Sequence, residues 1–358
     1  PVLLGRHGLG SPCAKDGREG TTTGPADGTD SQPYWPIRFD AGRPAPCNGR
    51  TDGPLGKIRG AMRILCVGES LVDFVCERPV SSVADADAFV PHFGGAVANA
   101  AVTAARRGAR IALAGGAGRD PWGEWLRGRL EESGVDLTWF ALHEEVSTPV
   151  AFVTVDEDAQ PTFTVYGAGL GRVFAELPVA EAVDACDALF FSSNTLVGEE
   201  EREATLAARR RALDAGKPIV FDPNLRLHRW RSASAAVEVV GPCVEGAFLV
   251  KANAEEALAL TGERDVEAAA ESLLAAGAQH VVVTLGADGA ILRGGGFDRR
   301  VPALPVDPVD TTGAGDAVTG VLLAALGRTG FYPAALAAML PDAMAAAAEV
   351  CERYGAVA

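Results

Sequence analysis

From Met62 onward, short apolar runs alternate with helical periods, and this rhythm constrains the fold more than any other feature of the chain. Apolar runs fall at 64–67, 110–114, 188–192, 218–222, 247–251 and 280–284, and helical segments at 96–107, 121–133, 199–215, 254–260 and 266–276. Strands separated by helices need crossover connections, which give an α/β fold with a mostly parallel sheet and helices on both faces. In such folds ligands gather at the carboxyl ends of the strands. One departure stands out: 149–155 and 162–166 are alternating β-runs joined by a polar turn, a hairpin signal. With little helix nearby to cover it, the hairpin is expected to stand off the main sheet as a lid over a pocket, the alternative being an edge hairpin of that sheet.

Before Met62 the composition differs. Residues 1–61 hold twelve glycines and eight prolines and no apolar stretch longer than Val2-Leu3-Leu4, too little to bury a core. They read as a spurious upstream extension or a disordered tail. The rest can form a large core, since 48% of the chain is hydrophobic. A membrane span is not expected, because the alanine-rich tail is broken by Pro333, Pro341 and Asp342.

The net charge of −15 disfavours sequence-independent nucleic-acid binding, which depends on neutralising phosphates. An anionic ligand would need local, directed donors instead. The seven cysteines form no C-x-x-C pair and read as reduced thiols in a cytoplasm.

Such donors are expected at Thr311-Thr312-Gly313-Ala314-Gly315-Asp316, where two glycines precede the apolar run 318–326. Glycines let the backbone turn tightly, and a buried helix presents its positive end there to an anion. Asp316 at that pole is either a capping residue or a base beside a developing anion. Asp73 follows the first strand, as a turn cap or an acceptor for ligand hydroxyls. Gly94-Gly95 precede a helix of small residues that carries Asn99. Asn253 and Glu256 have capping-box spacing, and the same pair could hold a hydrated Mg²⁺ against phosphates. Thr284, Gly286 and Gly289 end a strand in a glycine turn. The Walker and dinucleotide fingerprints are missing: 115–118 lacks the third glycine.

Taken in order, Gly94-Gly95 with Asn99, Asp120 to Gly123, Asp222 to Arg226 and Asp310 to Asp316 resemble the ribokinase-like sugar kinases of the phosphofructokinase-B type, over 62–358. The resemblance implies a three-layer α/β/α fold with a small β lid that includes about 73–93 and 149–167. It implies an ATP- and Mg²⁺-dependent phosphotransferase in which Asp316 is the base and the N–H groups of Gly313, Ala314 and Gly315 hold the phosphoryl. Asp73, Gly94, Gly95, Asn99 and Arg226 would hold the sugar. Asn253, Thr284, Gly286, Gly289 and Met344 would line the nucleotide site. Glu256 would reach Mg²⁺ through water, and Asp310 with Thr312 mark where a K⁺ ion would bind. A homodimer with a shared lid is implied as well.

The resemblance is greatest to fructokinases, with 2-keto-3-deoxygluconate kinases close behind. The stretch 164–169 lacks the arginine an acidic sugar would want, which favours a neutral one. A nucleoside kinase would need an aromatic clamp, but Phe152, Phe163 and Tyr166 lie in the alternating hairpin, where packing explains them as well. A catalytically silent sugar-binding regulator on the same fold would be expected to lose the base or the cradle.

Overall fold

The computed structural model describes residues 61–167 and 170–357, so the extension read at 1–61 lies outside them save for Ala61. The chain runs through β1 (Arg63–Val67), β2 (Leu71–Pro79), β3 (Val90–Gly94), α1 (Ala96–Arg106), β4 (Arg110–Gly118), α2 (Pro121–Glu132), β5 (Asp136–His143), β6 (Val150–Val155) and β7 (Pro161–Tyr166). It continues with α3 (Leu170–Ala175), α4 (Val179–Asp184), β8 (Ala188–Ser192), α5 (Glu199–Asp214), β9 (Ile219–Asp222), α6 (Ala233–Val240) and β10 (Leu249–Asn253). The last elements are α7 (Ala254–Thr261), α8 (Val266–Ala275), β11 (Val281–Thr284), β12 (Ala290–Gly294), β13 (Phe297–Val301), α9 (Ala314–Thr329) and α10 (Ala334–Cys351).

The main sheet has nine strands in the order β13-β12-β11-β10-β9-β8-β1-β4-β5, parallel from β11 to β5 with an antiparallel edge of β12 and β13. Side chains alternate between its faces, as the two-residue period of a strand requires. Ile64 and Cys66 join an apolar layer with α1, α2, α9 and α10, whereas Leu65 and Val67 join a second layer with α3 to α8. The result is a three-layer α/β/α architecture. The chain winds from β1 to β4 on one side and returns to β8 on the other, so the strand order reverses between β1 and β8. That reversal opens a crevice at their carboxyl ends.

A second sheet of four strands, β3-β2-β6-β7, carries the hairpin. Here the fold departs from the local reading of the sequence, because Asp73 lies within β2 and not in a turn. The glycine run 115–118 is the end of β4, and a Cβ on Gly116 would lie 2.2 Å from the Ala141 carbonyl of β5. Those glycines let two strands approach. Asp120 caps α2, accepting from the Trp122 and Gly123 N–H groups while it also binds Thr148.

α9 is buried on all sides from Asp316 to Gly327, as a helix that is apolar all round must be. It meets α1 closely, since a Cβ on Gly320 would sit 2.5 Å from Thr103 Cβ. α10 runs unbroken through Pro341. It is long and apolar enough to cross a membrane, but half of it is buried inside the fold, with Leu336, Leu340 and Met344 in the layer that holds α9. Cys66, Cys76, Cys186, Cys243 and Cys351 are free thiols.

Candidate active site

Gly313 stands at the N-cap of α9 with φ 78°, a left-handed conformation that favours glycine. A Cβ there would also lie 2.3 Å from the Ala356 Cβ. The first N–H groups of a helix have no intrahelical acceptor. At α9 one is partly engaged, because Ala314 N–H donates to the Thr311 carbonyl at 3.3 Å. Gly315 is needed for another reason: a Cβ on it would sit 2.8 Å from Lys251 Nζ.

Asp316 lies in the first turn of α9, yet no side chain caps that helix. Its Oδ2 accepts from Asn99 Nδ2 at 2.9 Å, and its Oδ1 accepts a weaker bond from Asn224 Nδ2 at 3.5 Å. Burial raises its pKa to about 6; Asn99 opposes the shift and Asp222 adds to it, while Lys251 and Arg226 pull it down. A carboxyl so placed is ionised near neutrality and ready to take a proton.

Across the crevice Asp73 is buried with Oδ1 unpartnered. Burial raises its pKa well above the usual carboxylate range, with Asp316 and Asp310 adding to the shift and Arg226 opposing it. Gly94 packs on this carboxylate, since a Cβ there would lie 2.6 Å from Oδ1. Gly95, at φ 96°, passes equally close to the Glu69 carbonyl. Asn99 Oδ1 is also buried without a partner, so the crevice holds acceptors awaiting hydroxyl donors.

Lys251 Nζ donates to Asp222 Oδ2 at 3.2 Å in a buried ion pair, and Thr319 Oγ1 donates to the same oxygen at 2.8 Å. Burial alone would depress the Lys251 ammonium, but Asp222, Glu256 and Asp316 together hold it above its ordinary value. Next to it the capping box of α7 is complete: Asn253 Oδ1 accepts from Glu256 N–H at 2.8 Å, and Glu256 Oε2 accepts from Asn253 N–H at 2.9 Å. Glu256 Oε1 accepts from Leu225 N–H at 2.8 Å. No group of three or more His, Cys, Asp or Glu that could hold a metal occurs among the described residues.

Asp310 is fully buried, and its oxygens accept from Thr312 N–H and Gly355 N–H. Thr312 Oγ1 is buried and unpartnered beside it, an oxygen donor that suits an alkali cation. Thr284 ends β11 and donates weakly to the Ala252 carbonyl at 3.4 Å. Gly289 is required by its turn, because a Cβ would lie 1.9 Å from the Val301 carbonyl, whereas Gly286 faces open space. Met344 is packed in the apolar layer around α9 and α10.

The structure thus gathers Asp316, Asn99, Asp222, Lys251 and Asn224 into one hydrogen-bonded group. It extends further, for Asn194 Nδ2 donates to Glu69 Oε1 at 3.0 Å and to Asn224 Oδ1 at 3.4 Å. Local sequence reading did not single out Asn224, Lys251, Asn194 or Glu69 for the site. Lys251 and Asn224 each sit just past or at the carboxyl end of an apolar run, and that position was the available signal. Asn224 carries a further mark, a φ of 39° in a residue other than glycine.

A doubly wound α/β sheet with a carboxylate and a glycine turn at one helix pole is a site suited to an anion such as a phosphoryl group beside a proton acceptor. Residues 61–358 match the pfkB family carbohydrate kinase, and the chain belongs to that family. It is 36% identical over 264 residues to fructokinase-1 of Oryza sativa subsp. japonica, covering 73% of this chain and 81% of the relative. It is 32% identical over 284 residues to the aminoimidazole riboside kinase of Salmonella typhimurium, covering 78% and 86%. Among solved structures, a fructokinase double mutant from Vibrio cholerae in fructose, ADP and potassium ion bound form aligns with TM-score 0.73 and 28% identity, covering 83% of this chain and 94% of the other. The fold is ribokinase-like, and the protein is a sugar kinase.

Proposed function

We propose that the chain transfers the γ-phosphoryl of ATP to a hydroxyl of fructose, with Asp316 as the general base. The observation that carries this is the buried Asp316 carboxylate, which does not cap α9 and is held by a hydrogen bond from Asn99, with a pKa of about 6. Asp73, Gly94, Gly95 and Asn99 bind the sugar through hydroxyl hydrogen bonds, and Arg226 adds positive charge beside the two carboxylates. The bond from the γ-phosphorus to its bridging oxygen breaks as one forms to the sugar oxygen, whose proton passes to Asp316. The N–H groups at Gly313, Ala314 and Gly315 stabilise the phosphoryl oxygens, with Ala314 exchanging its long bond to the Thr311 carbonyl for the ligand. Asn253, Thr284, Gly286 and Gly289 line the nucleotide side, with Met344 behind them.

Glu256 would reach Mg²⁺ through water, and the ion would neutralise charge on the phosphates. Asp310 and Thr312 would hold K⁺. The four-stranded sheet closes over the sugar as a lid and pairs with that of a second copy, and the enzyme works in the cytoplasm.

A nucleoside substrate is less well supported. Phe74 and Phe152 stack at 5.4 Å, but they lie on the face of the small sheet opposite Asp73, because successive side chains of a strand alternate. Of the hairpin aromatics, Phe163 shares the inner face, where Tyr354 also packs. The test is ADP release from ATP and Mg²⁺ over fructose, ribose, 2-keto-3-deoxygluconate and adenosine. Fructose should give the highest kcat/KM; faster turnover of another member would reassign the substrate, and none on any member would remove the kinase reading.

A further inference from the structure

We infer that Lys251 is a catalytic residue: its ammonium meets the transferring phosphoryl at the first turn of α9. This deepens the kinase reading above and rests on it. Lys251 lies in β10, two residues before the capping box, and its side chain is buried. An ammonium offers three donors. Among the described residues only Asp222 Oδ2 accepts from it, at 3.2 Å, and that oxygen is shared with Thr319.

The second observation is the Gly315 contact. With only 2.8 Å between Nζ and the position of a Cβ on Gly315, the ammonium rests directly against the helix pole. Any side chain at that position would push it away. Taken alone, this is an unfavourable arrangement: the amino end of a helix is positive, so a buried cation there meets a charge of its own sign. Asp222, Glu256 and Asp316 together outweigh that repulsion and keep the ammonium charged, yet Asp222 alone of the three accepts a hydrogen bond from it. A buried ion pair meant only for stability gains little from such a place, because desolvation already offsets most of its attraction. An arriving phosphoryl accepts from the remaining ammonium donors and from the helix N–H groups together.

During transfer Lys251 keeps its proton. The sugar hydroxyl proton goes to Asp316, the bond to the ADP oxygen breaks as the bond to the sugar oxygen forms, and the ammonium offsets charge spread over the phosphoryl oxygens. Its contribution falls on the γ-phosphoryl and not on the rest of the nucleotide, which separates it from a structural role.

The experiment compares wild type with Lys251→Met, which keeps the stem and removes the charge, and with Gly315→Ala, which keeps the charge and displaces it. Binding of ADP and of the β,γ-methylene analogue of ATP is measured by calorimetry, alongside sugar turnover and Tm. Both variants should lose about tenfold or more in the affinity for the analogue relative to ADP, and about 10² in kcat. Equal losses for ADP and analogue, or kcat within about threefold of wild type in both variants, would overturn the assignment. Should Lys251→Met fail to fold, Gly315→Ala alone decides between these outcomes. Wild type without turnover of any sugar overturns the kinase reading with it, whereas an active wild type beside unaffected variants overturns only the role of Lys251.

Discussion

Asn99 Nδ2 stands 2.9 Å from Asp316 Oδ2, although 217 residues separate the two in the chain. The contact exists because α1 and α9 pack closely at Gly320, where only a hydrogen fits against Thr103. A donor to a carboxylate favours its charged form and lowers its pKa. Replacing Asn99 by Leu should therefore move the acid limb of kcat/KM upward from its position near pH 6, with Asp222 still raising and Lys251 and Arg226 still lowering the carboxyl. A pH profile of the variant checks this; an unmoved limb would show that Asn99 does not tune the base.

Asp316→Asn should reduce kcat by about 10² or more with a smaller change in sugar affinity, because it removes the proton acceptor and little else. It should also change stability with a definite sign. The folded pKa, about 6, lies above the ordinary aspartate value, so the native state binds more protons in between and loses stability as pH rises through that window. The variant lacks this loss. Its Tm, relative to wild type, should be higher at pH 8 than at pH 4; an equal offset at both would contradict the raised pKa.

Gly94→Ala would place a methyl 2.6 Å from Asp73 Oδ1 and turn that carboxylate away from the crevice. Losing the hydrogen bonds of this buried carboxyl group weakens ground-state and transition-state binding alike, so KM for the sugar should rise about tenfold or more with kcat less affected. Steady-state kinetics at saturating ATP would separate the two, and an unchanged KM would take Asp73 out of the sugar site.

Glu256→Gln removes the negative charge and keeps one acceptor for the capping box, but the amide nitrogen cannot replace the second oxygen, so either Asn253 N–H or Leu225 N–H loses its partner. Tm should fall by a few degrees while the Mg²⁺ concentration for half-maximal rate rises by about tenfold. A Mg²⁺ titration that overlays wild type would leave Glu256 as a helix cap alone.

Much of this was legible along the chain because it depends on near neighbours. The alternation of apolar runs and helices requires a parallel sheet, and the spacing of Asn253 and Glu256 is a capping box by local geometry. Features set by distant partners were not legible. Nothing near Gly315 indicates that Lys251 is the reason for a glycine, and nothing near Asn99 indicates Asp316. Strand β2 was hidden too. Its alternation is interrupted by a buried carboxylate, Asp73, which reads locally as a turn residue and is instead held inside by the second sheet. The run through Pro341 escaped notice for a related reason: tertiary packing of α10 on α9 outweighs the local cost of a proline.

The burial of α9 on every side has a bearing on how such a protein can change. A rod sealed in close-packed surroundings tolerates almost no alteration along its length, so the chemistry of transfer is fixed with the core itself. The groups proposed to recognise the sugar hang largely elsewhere, on β2 and the end of β3 in the smaller sheet. New substrates can therefore be acquired by rewriting that sheet, while the base and its helix descend untouched.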